Sequence, residues 1–254
     1  MGARSLSKHD ARRRDAHCGR HVTMGQGATA PVVAVTGMAF EARIARGEGV
    51  EAVFAARADL LEHALAEALA RGVSGVVSFG TAGGLDADLK PGTLIVADAI
   101  EGPFGRARTD SSWSARIAAA LAASPLAPRV RFGTLAAVTA PLVTVEQKAA
   151  LHLAAGALAV DMESHIAAAM AEARGLPFVA CRAIVDPAWR SLPSAATAGL
   201  RDDGTTALMP ILTELLKAPW QLAAMIRLAA DASAARATLT GARRILGRAF
   251  GLPA

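Results

Sequence analysis

The chain has 254 residues, 53% of them hydrophobic and 4% aromatic, with 27 Lys and Arg against 22 Asp and Glu. That length holds one substantial core, and the composition excludes an intrinsically disordered chain. The longest uncharged run, residues 24–40, is cut by Gly25, Gly27, Pro31 and Gly37, which excludes a spanning helix there.

The first residues carry no apolar signal segment. The two cysteines, Cys18 and Cys181, form no CxxC, and no HExxH occurs. No metal, no cofactor and a cytoplasmic location are expected. The formal net charge of +5 is unevenly placed. Residues 1–23 carry six Lys and Arg against two Asp, and residues 217–254 carry six against Asp231 alone, so the stretch between them is acidic. Basic ends could meet anionic lipid or water. No nucleic-acid motif accompanies them, and nucleic acid is not expected as a partner. Three segments are expected: a basic, disordered arm over 1–23, a catalytic domain over 24–216, and a basic amphipathic helical extension over 217–254. Met24 is a plausible natural start.

In chain order, Pro31–Thr36 reads as a short buried strand followed by Gly37-Met-Ala-Phe-Glu41. Leu61, Leu65 and Leu69 recur every four residues and predict an amphipathic helix over Asp59–Arg71, stopped by Gly72. Val73–Phe79 predicts a second strand, ending in a glycine-rich loop, Gly80–Asp86. After the turn Lys90-Pro-Gly92 comes a third strand, Thr93–Ala97. Trp113–Ala123 predicts a helix, Phe132–Val138 a strand, Glu146–Ala155 a helix and Ala157–Val160 a strand. A helix then runs over Glu163–Arg174 to Gly175, and Phe178–Val185 is a buried strand ending at Asp186-Pro187.

Strands alternating with helices predict an α/β fold around a mixed, mostly parallel sheet. In such sheets ligands gather beyond the carboxyl ends of strands. Glu41, the Gly80–Gly84 segment, Glu163 and Asp186 each follow a predicted strand and could share a pocket. The plainer reading of Asp161 and Glu163 in "AVDMESH" is helix capping, but capping does not account for four strand-end features together. Separated carboxylates beside a glycine-rich segment suit acid–base chemistry on a polar small molecule, such as glycosyl cleavage. The GTAGG stretch fits neither GxGxxG nor a Walker sequence, so a dinucleotide or triphosphate site is excluded. His165, two positions beyond Glu163, points away from it on a helix and reads as structural. Arg182, inside an apolar strand, needs a buried carboxylate partner, for which Asp161 is the candidate.

At these residues the chain resembles the purine nucleoside phosphorylase superfamily, which includes the methylthioadenosine/adenosylhomocysteine nucleosidases. The resemblance is carried by "GMAFEA", "SFGTAGGLDADLKPGTLIVAD", "AVDMES" and "CRAIVD", and runs in order from about residue 31 to 216. It implies a single-domain nucleoside-phosphorylase-like fold and the following roles. Asp186 would protonate the departing adenine. Glu163 would accept hydrogen bonds from ribose hydroxyls, with Met162 against the sugar. Glu41 would bind the attacking water and take its proton, while Thr81, Ala82 and Gly83 would line the base and water side. Two departures stand out. Val185 replaces the serine usual before the catalytic aspartate, which removes one hydrogen bond to Asp186. The segment Thr139–Val143 supplies no aromatic residue to stack on the base.

The family splits between water and phosphate as nucleophile. Residues 73–89 hold no basic residue where phosphorylases commonly place an arginine. Hydrolysis is therefore favoured, with phosphate kept as a possible co-substrate held by Arg43 or Arg46. The tail, "FEARIARG" and residues 190–206 resemble the hopanoid-associated phosphorylases. This implies a lipid-linked substrate, adenosylhopane, and peripheral contact with the inner membrane face. The alternatives are a soluble methylthioadenosine/adenosylhomocysteine nucleosidase and a catalytically silent nucleoside-binding or membrane-surface module. A homo-oligomer is the assembly the resemblance implies.

Overall fold

In a computed structural model, residues 30–253 are described and form one α/β domain. The expected arm over 1–23 lies outside the described residues. The first strand, β1 (Val32–Thr36), is buried along its whole length. Its side chains alternate: Val33 and Val35 enter one core, Val32 and Ala34 the other. A sheet covered on both faces follows from this, and it explains why the strand reads as an unbroken apolar run.

The helix α1 (Ala39–Ala45) leads to β2 (Val50–Phe54), which pairs parallel to β1 at the sheet's edge. Next comes α2 (Ala58–Ala70), which buries Leu61, Leu65 and Leu69 on the expected face. The strand β3 spans Gly75–Gly84. The expected loop beginning at Gly80 is thus strand as far as Gly84. Pairing with β7 (Ala159–Asp161) and β8 (Phe178–Asp186) supplies backbone partners that override glycine's weak strand preference.

The remaining strands are β4 (Leu94–Gly102), β5 (Gly105–Arg108) and β6 (Val130–Ala137). Between them and the later strands lie α3 (Ser111–Ala122), α4 (Val145–Ala155) and α5 (Ser164–Glu172). The eight strands make one mixed sheet. Its pairings β3–β8, β8–β4, β4–β6, β6–β7 and β7–β3 close a five-strand ring, with β1 and β2 extending from β3 and β5 extending from β4. One core lies under α2 and α5, where Leu65 and Ile166 meet Val33 and Ile95. The second lies under α1, α3 and the C-terminal helix.

Three further helices follow β8: α6 (Ser194–Ala198), α7 (Leu208–Lys217) and α8 (Leu222–Leu246). The two halves of α8 differ. Its second half is core: Ala235, Leu239 and Ala242 are fully buried, and Thr238 Oγ1 donates to the Gly92 carbonyl at 2.8 Å. Beyond it Phe250 packs edge-on against Phe79, and Trp113 Nε1 donates to the Phe250 carbonyl at 2.9 Å. In its first half Leu222 and Ile226 are exposed, as are Met209, Leu212 and Leu216 of α7 and Trp220 between the helices. Among the described residues no helix is long and apolar enough to cross a membrane.

Candidate active site

The carboxyl ends of the central strands open into a cavity of about 200 Å³. Glu41, Thr81, Ala82, Gly83, Met162, Glu163 and Asp186 all line it. The residues singled out from sequence are therefore together in space. Val138, Pro141, Leu142, Val160 and Val185 supply apolar wall. The segment that offers no aromatic thus contributes aliphatic surface instead.

Glu41 sits in the first turn of α1 and is 1% exposed. Its Oε2 accepts from the backbone N–H groups of Gly37 and Met38, each at 3.1 Å. Its Oε1 accepts from both the backbone N–H and the hydroxyl of Thr81, each at 2.7 Å. Four donors on one buried carboxylate hold its orientation. The close approach requires glycine at position 80: a Cβ there would stand 2.7 Å from Glu41 Oε2 and 2.7 Å from Arg182 Nη1.

Arg182 of β8 is 1% exposed and serves two carboxylates. Its Nε lies 2.7 Å from Asp161 Oδ2, and its Nη1 lies 3.1 Å from Glu163 Oε2. Its Nη2 donates to Ser78 Oγ at 2.6 Å. Asp161 is thus the expected partner of Arg182. It also accepts from the Ser164 backbone N–H at 3.1 Å, so the capping role is real for this residue. Glu163 makes no cap hydrogen bond with its side chain. One guanidinium faces Asp161, Glu163 and Glu41, all largely withdrawn from solvent. Burial, and then the neighbouring Asp161 and Glu41 charges against the opposing pull of Arg182, push the Glu163 carboxyl up to about 8. Below that pH Glu163 carries a proton and can donate as well as accept.

Asp186 closes β8 and is 4% exposed. Its Oδ1 is buried with no hydrogen-bond partner among the described residues. Its Oδ2 accepts from Lys148 Nζ at 2.5 Å. Burial raises the Asp186 carboxyl above the usual carboxylate range, and the Lys148 hydrogen bond and charge oppose that rise. Lys148, on α4, is a site residue that the sequence reading missed. The hydrogen bond that Val185 cannot give to Asp186 comes from Lys148 instead. The one available signal was its place just after the capping pair Thr144 and Gln147, where a cation faces the unfavourable end of the helix dipole.

Arg43 and Arg46, the cations considered for phosphate, are exposed and do not line the cavity. His165 is buried beside Phe104 and likewise stays out of the lining.

Comparison with known proteins gives a family. A family profile described as the phosphorylase superfamily matches residues 3–203. No curated protein matches the sequence. Among solved structures, the fold is similar to the 5′-methylthioadenosine/S-adenosylhomocysteine nucleosidase of Helicobacter pylori. That match has a TM-score of 0.59 at 18% identity and covers 85% of this chain and 98% of the other. It is also similar to the futalosine hydrolase of the same organism, with a TM-score of 0.54 at 20% identity, covering 62% and 88%. A third likeness is the S-adenosylhomocysteine nucleosidase of Streptococcus pyogenes, with a TM-score of 0.57 at 15% identity, covering 80% and 97%. At these identities the structures speak for the fold, and the profile, which spans most of the chain, speaks for the family. The chain belongs to the phosphorylase superfamily of enzymes that break N-glycosyl bonds.

Proposed function

We propose that the protein hydrolyses the N-glycosidic bond of a 5′-modified adenosine and releases adenine. The observation that carries this reading is the convergence of Glu41, Glu163 and Asp186 on one cavity. Asp186, raised by burial, is suited to give a proton from Oδ1 to N7 of the base as the bond from C1′ to N9 lengthens. Glu163 and Met162, both in the cavity lining, are assigned to the ribose. Glu41 takes a proton from water as its oxygen bonds to C1′. Water rather than phosphate is favoured because Lys148, the cation in the cavity lining, already has Asp186 as its partner, and a phosphate dianion needs cations of its own.

Adenosylhopane is the substrate we favour. Leu192 and Leu200 line the cavity at the side of α6, and α7 packs on that region through Ile211, whose Cδ1 lies 2.5 Å from where a Gly199 Cβ would stand. The outer face of α7 exposes Met209, Leu212 and Leu216, beside the Lys217–Glu214 ion pair. An exposed apolar helix face suits peripheral contact with a lipid surface holding such a substrate. The second reading, methylthioadenosine or adenosylhomocysteine, draws on the likeness of the fold to the nucleosidases of Helicobacter pylori and Streptococcus pyogenes. A homo-oligomer remains part of the proposal, to be measured by light scattering.

The test is to incubate the purified protein with adenosylhopane and with methylthioadenosine, each with and without phosphate. Adenine and a free ribosyl product, unchanged by phosphate, are expected. Asp186→Asn should lower turnover by about 10²–10⁴-fold, the loss typical of a general acid, with the fold intact. A phosphorylated sugar product overturns hydrolysis, and an unaffected rate in the variant removes Asp186 from the chemistry.

A further inference from the structure

Lys148 is 1% exposed, and a buried ammonium costs several kcal/mol unless its protons are all satisfied. Here they are. Nζ donates to Asp186 Oδ2 at 2.5 Å, to the Arg190 carbonyl at 2.7 Å and to the Pro187 carbonyl at 3.1 Å. Three donors meet three acceptors, so the ammonium has one geometry and the turn from Asp186 to Arg190 is folded around it. Helix stability does not account for it, because the fourth position of α4 lies near the positive end of the helix dipole.

We propose that Lys148 is a positioning residue for the acid. It clamps Oδ2, so that Oδ1 is the oxygen that delivers the proton, and its charge stabilises the carboxylate left on Asp186 when the proton goes to the base. This inference rests on the reading of Asp186 as the acid. The proton moves from Oδ1 to N7 of adenine, the electron pair of the bond from C1′ to N9 leaves with the base, and Lys148 keeps all its protons. Its ammonium meets the new negative charge without moving, which is how a preorganised charge lowers a barrier.

The other charges near this pair act less strongly on Asp186. Arg190 and Asp231 form an ion pair with each other and act on Asp186 in opposite senses. Glu41, Asp161 and Glu163 are gathered round Arg182.

The role predicts a pH signature that mere structural support lacks. Activity needs the Asp186 proton, so the alkaline limb of the profile is the loss of that proton as pH rises through the acid's pKa. Burial raises that pKa and Lys148 restrains the rise, so removing the charge moves the alkaline limb to higher pH. The conjugate carboxylate also loses its counter-ion, so the rate on the plateau falls.

The experiment is the pH dependence of kcat and kcat/KM for wild type, Lys148→Gln and Lys148→Arg, with whichever of adenosylhopane and methylthioadenosine the wild type turns over faster and with circular dichroism to check folding. For Lys148→Gln we expect a plateau at least ~10-fold lower and a limb at least ~1 pH unit higher. For Lys148→Arg the limb should stay in place while kcat falls, because charge is kept and the clamp is displaced. An unmoved limb in folded Lys148→Gln overturns the proposal. Should that variant fail to fold, a wild-type kcat or a shifted limb in Lys148→Arg overturns it instead. Asp186→Asn separates the two failures: if it is active, the acid assignment itself is wrong, whereas an inactive Asp186→Asn beside an unmoved limb sinks the role of Lys148 alone.

Discussion

Replacing Glu163 with glutamine tests the charge balance of the site through stability alone. Arg182 offers one positive charge to Asp161, Glu163 and Glu41, and burial lifts Glu163 from an ordinary 4.5 to about 8. Between those two pH values the folded protein holds a proton that the unfolded chain has released. Stability from this group is therefore fully present below the unfolded value and lost as pH rises, levelling off above about 8. Each pH unit in the window costs about 1.4 kcal/mol, or on the order of 4 kcal/mol between pH 5 and pH 8. The side chain is 14% exposed, so solvent screening takes little from this figure. Glu163→Gln has no proton to lose there. Thermal unfolding of both proteins at pH 5, 6, 7, 8 and 9 should show similar midpoints at pH 5 and a gap in favour of the variant that widens to pH 8. For a chain of this size the gap should reach on the order of 10 °C. Parallel curves, or a wild type that gains on the variant with rising pH, would refute the assignment of the proton to Glu163.

Two further outcomes follow from the C-terminal helices. Leu239→Ala, at a fully buried position, should lower stability by about 2–5 kcal/mol in urea unfolding, whereas Leu222→Ala, at an exposed one, should change it by less than about 0.5 kcal/mol. Sedimentation with vesicles of an anionic phospholipid should pellet wild type. Joint replacement of Met209, Leu212 and Leu216 by serine should leave the protein in the supernatant, and equal pelleting would remove this face from lipid contact.

Much of the core was readable because hydrophobic period is a local property. The all-buried run of β1 and the four-residue leucine spacing of α2 state their partners' positions without naming them. The same holds for Glu41, Glu163 and Asp186, since strand-end acids in an α/β chain gather at one edge of the sheet. Reading by period fails at the sheet's margins. Val50–Phe54 carries Glu51, and Gly105–Arg108 is mostly polar, so neither edge strand shows a buried pattern.

What the sequence by itself determined was the α/β class, the order of its main elements and three carboxyls at strand ends. Tertiary structure alone decided that Gly80–Gly84 continues a strand, because its backbone partners come from β7 and β8, far away along the chain. It alone divided the tail into a core-packed half and an open apolar face. Above all it placed Lys148 on Asp186: on the linear chain that lysine is one more charge on a helix, and only the fold brings its Nζ to Asp186 Oδ2 and the Pro187 and Arg190 carbonyls, away from water, and makes the aspartate its partner.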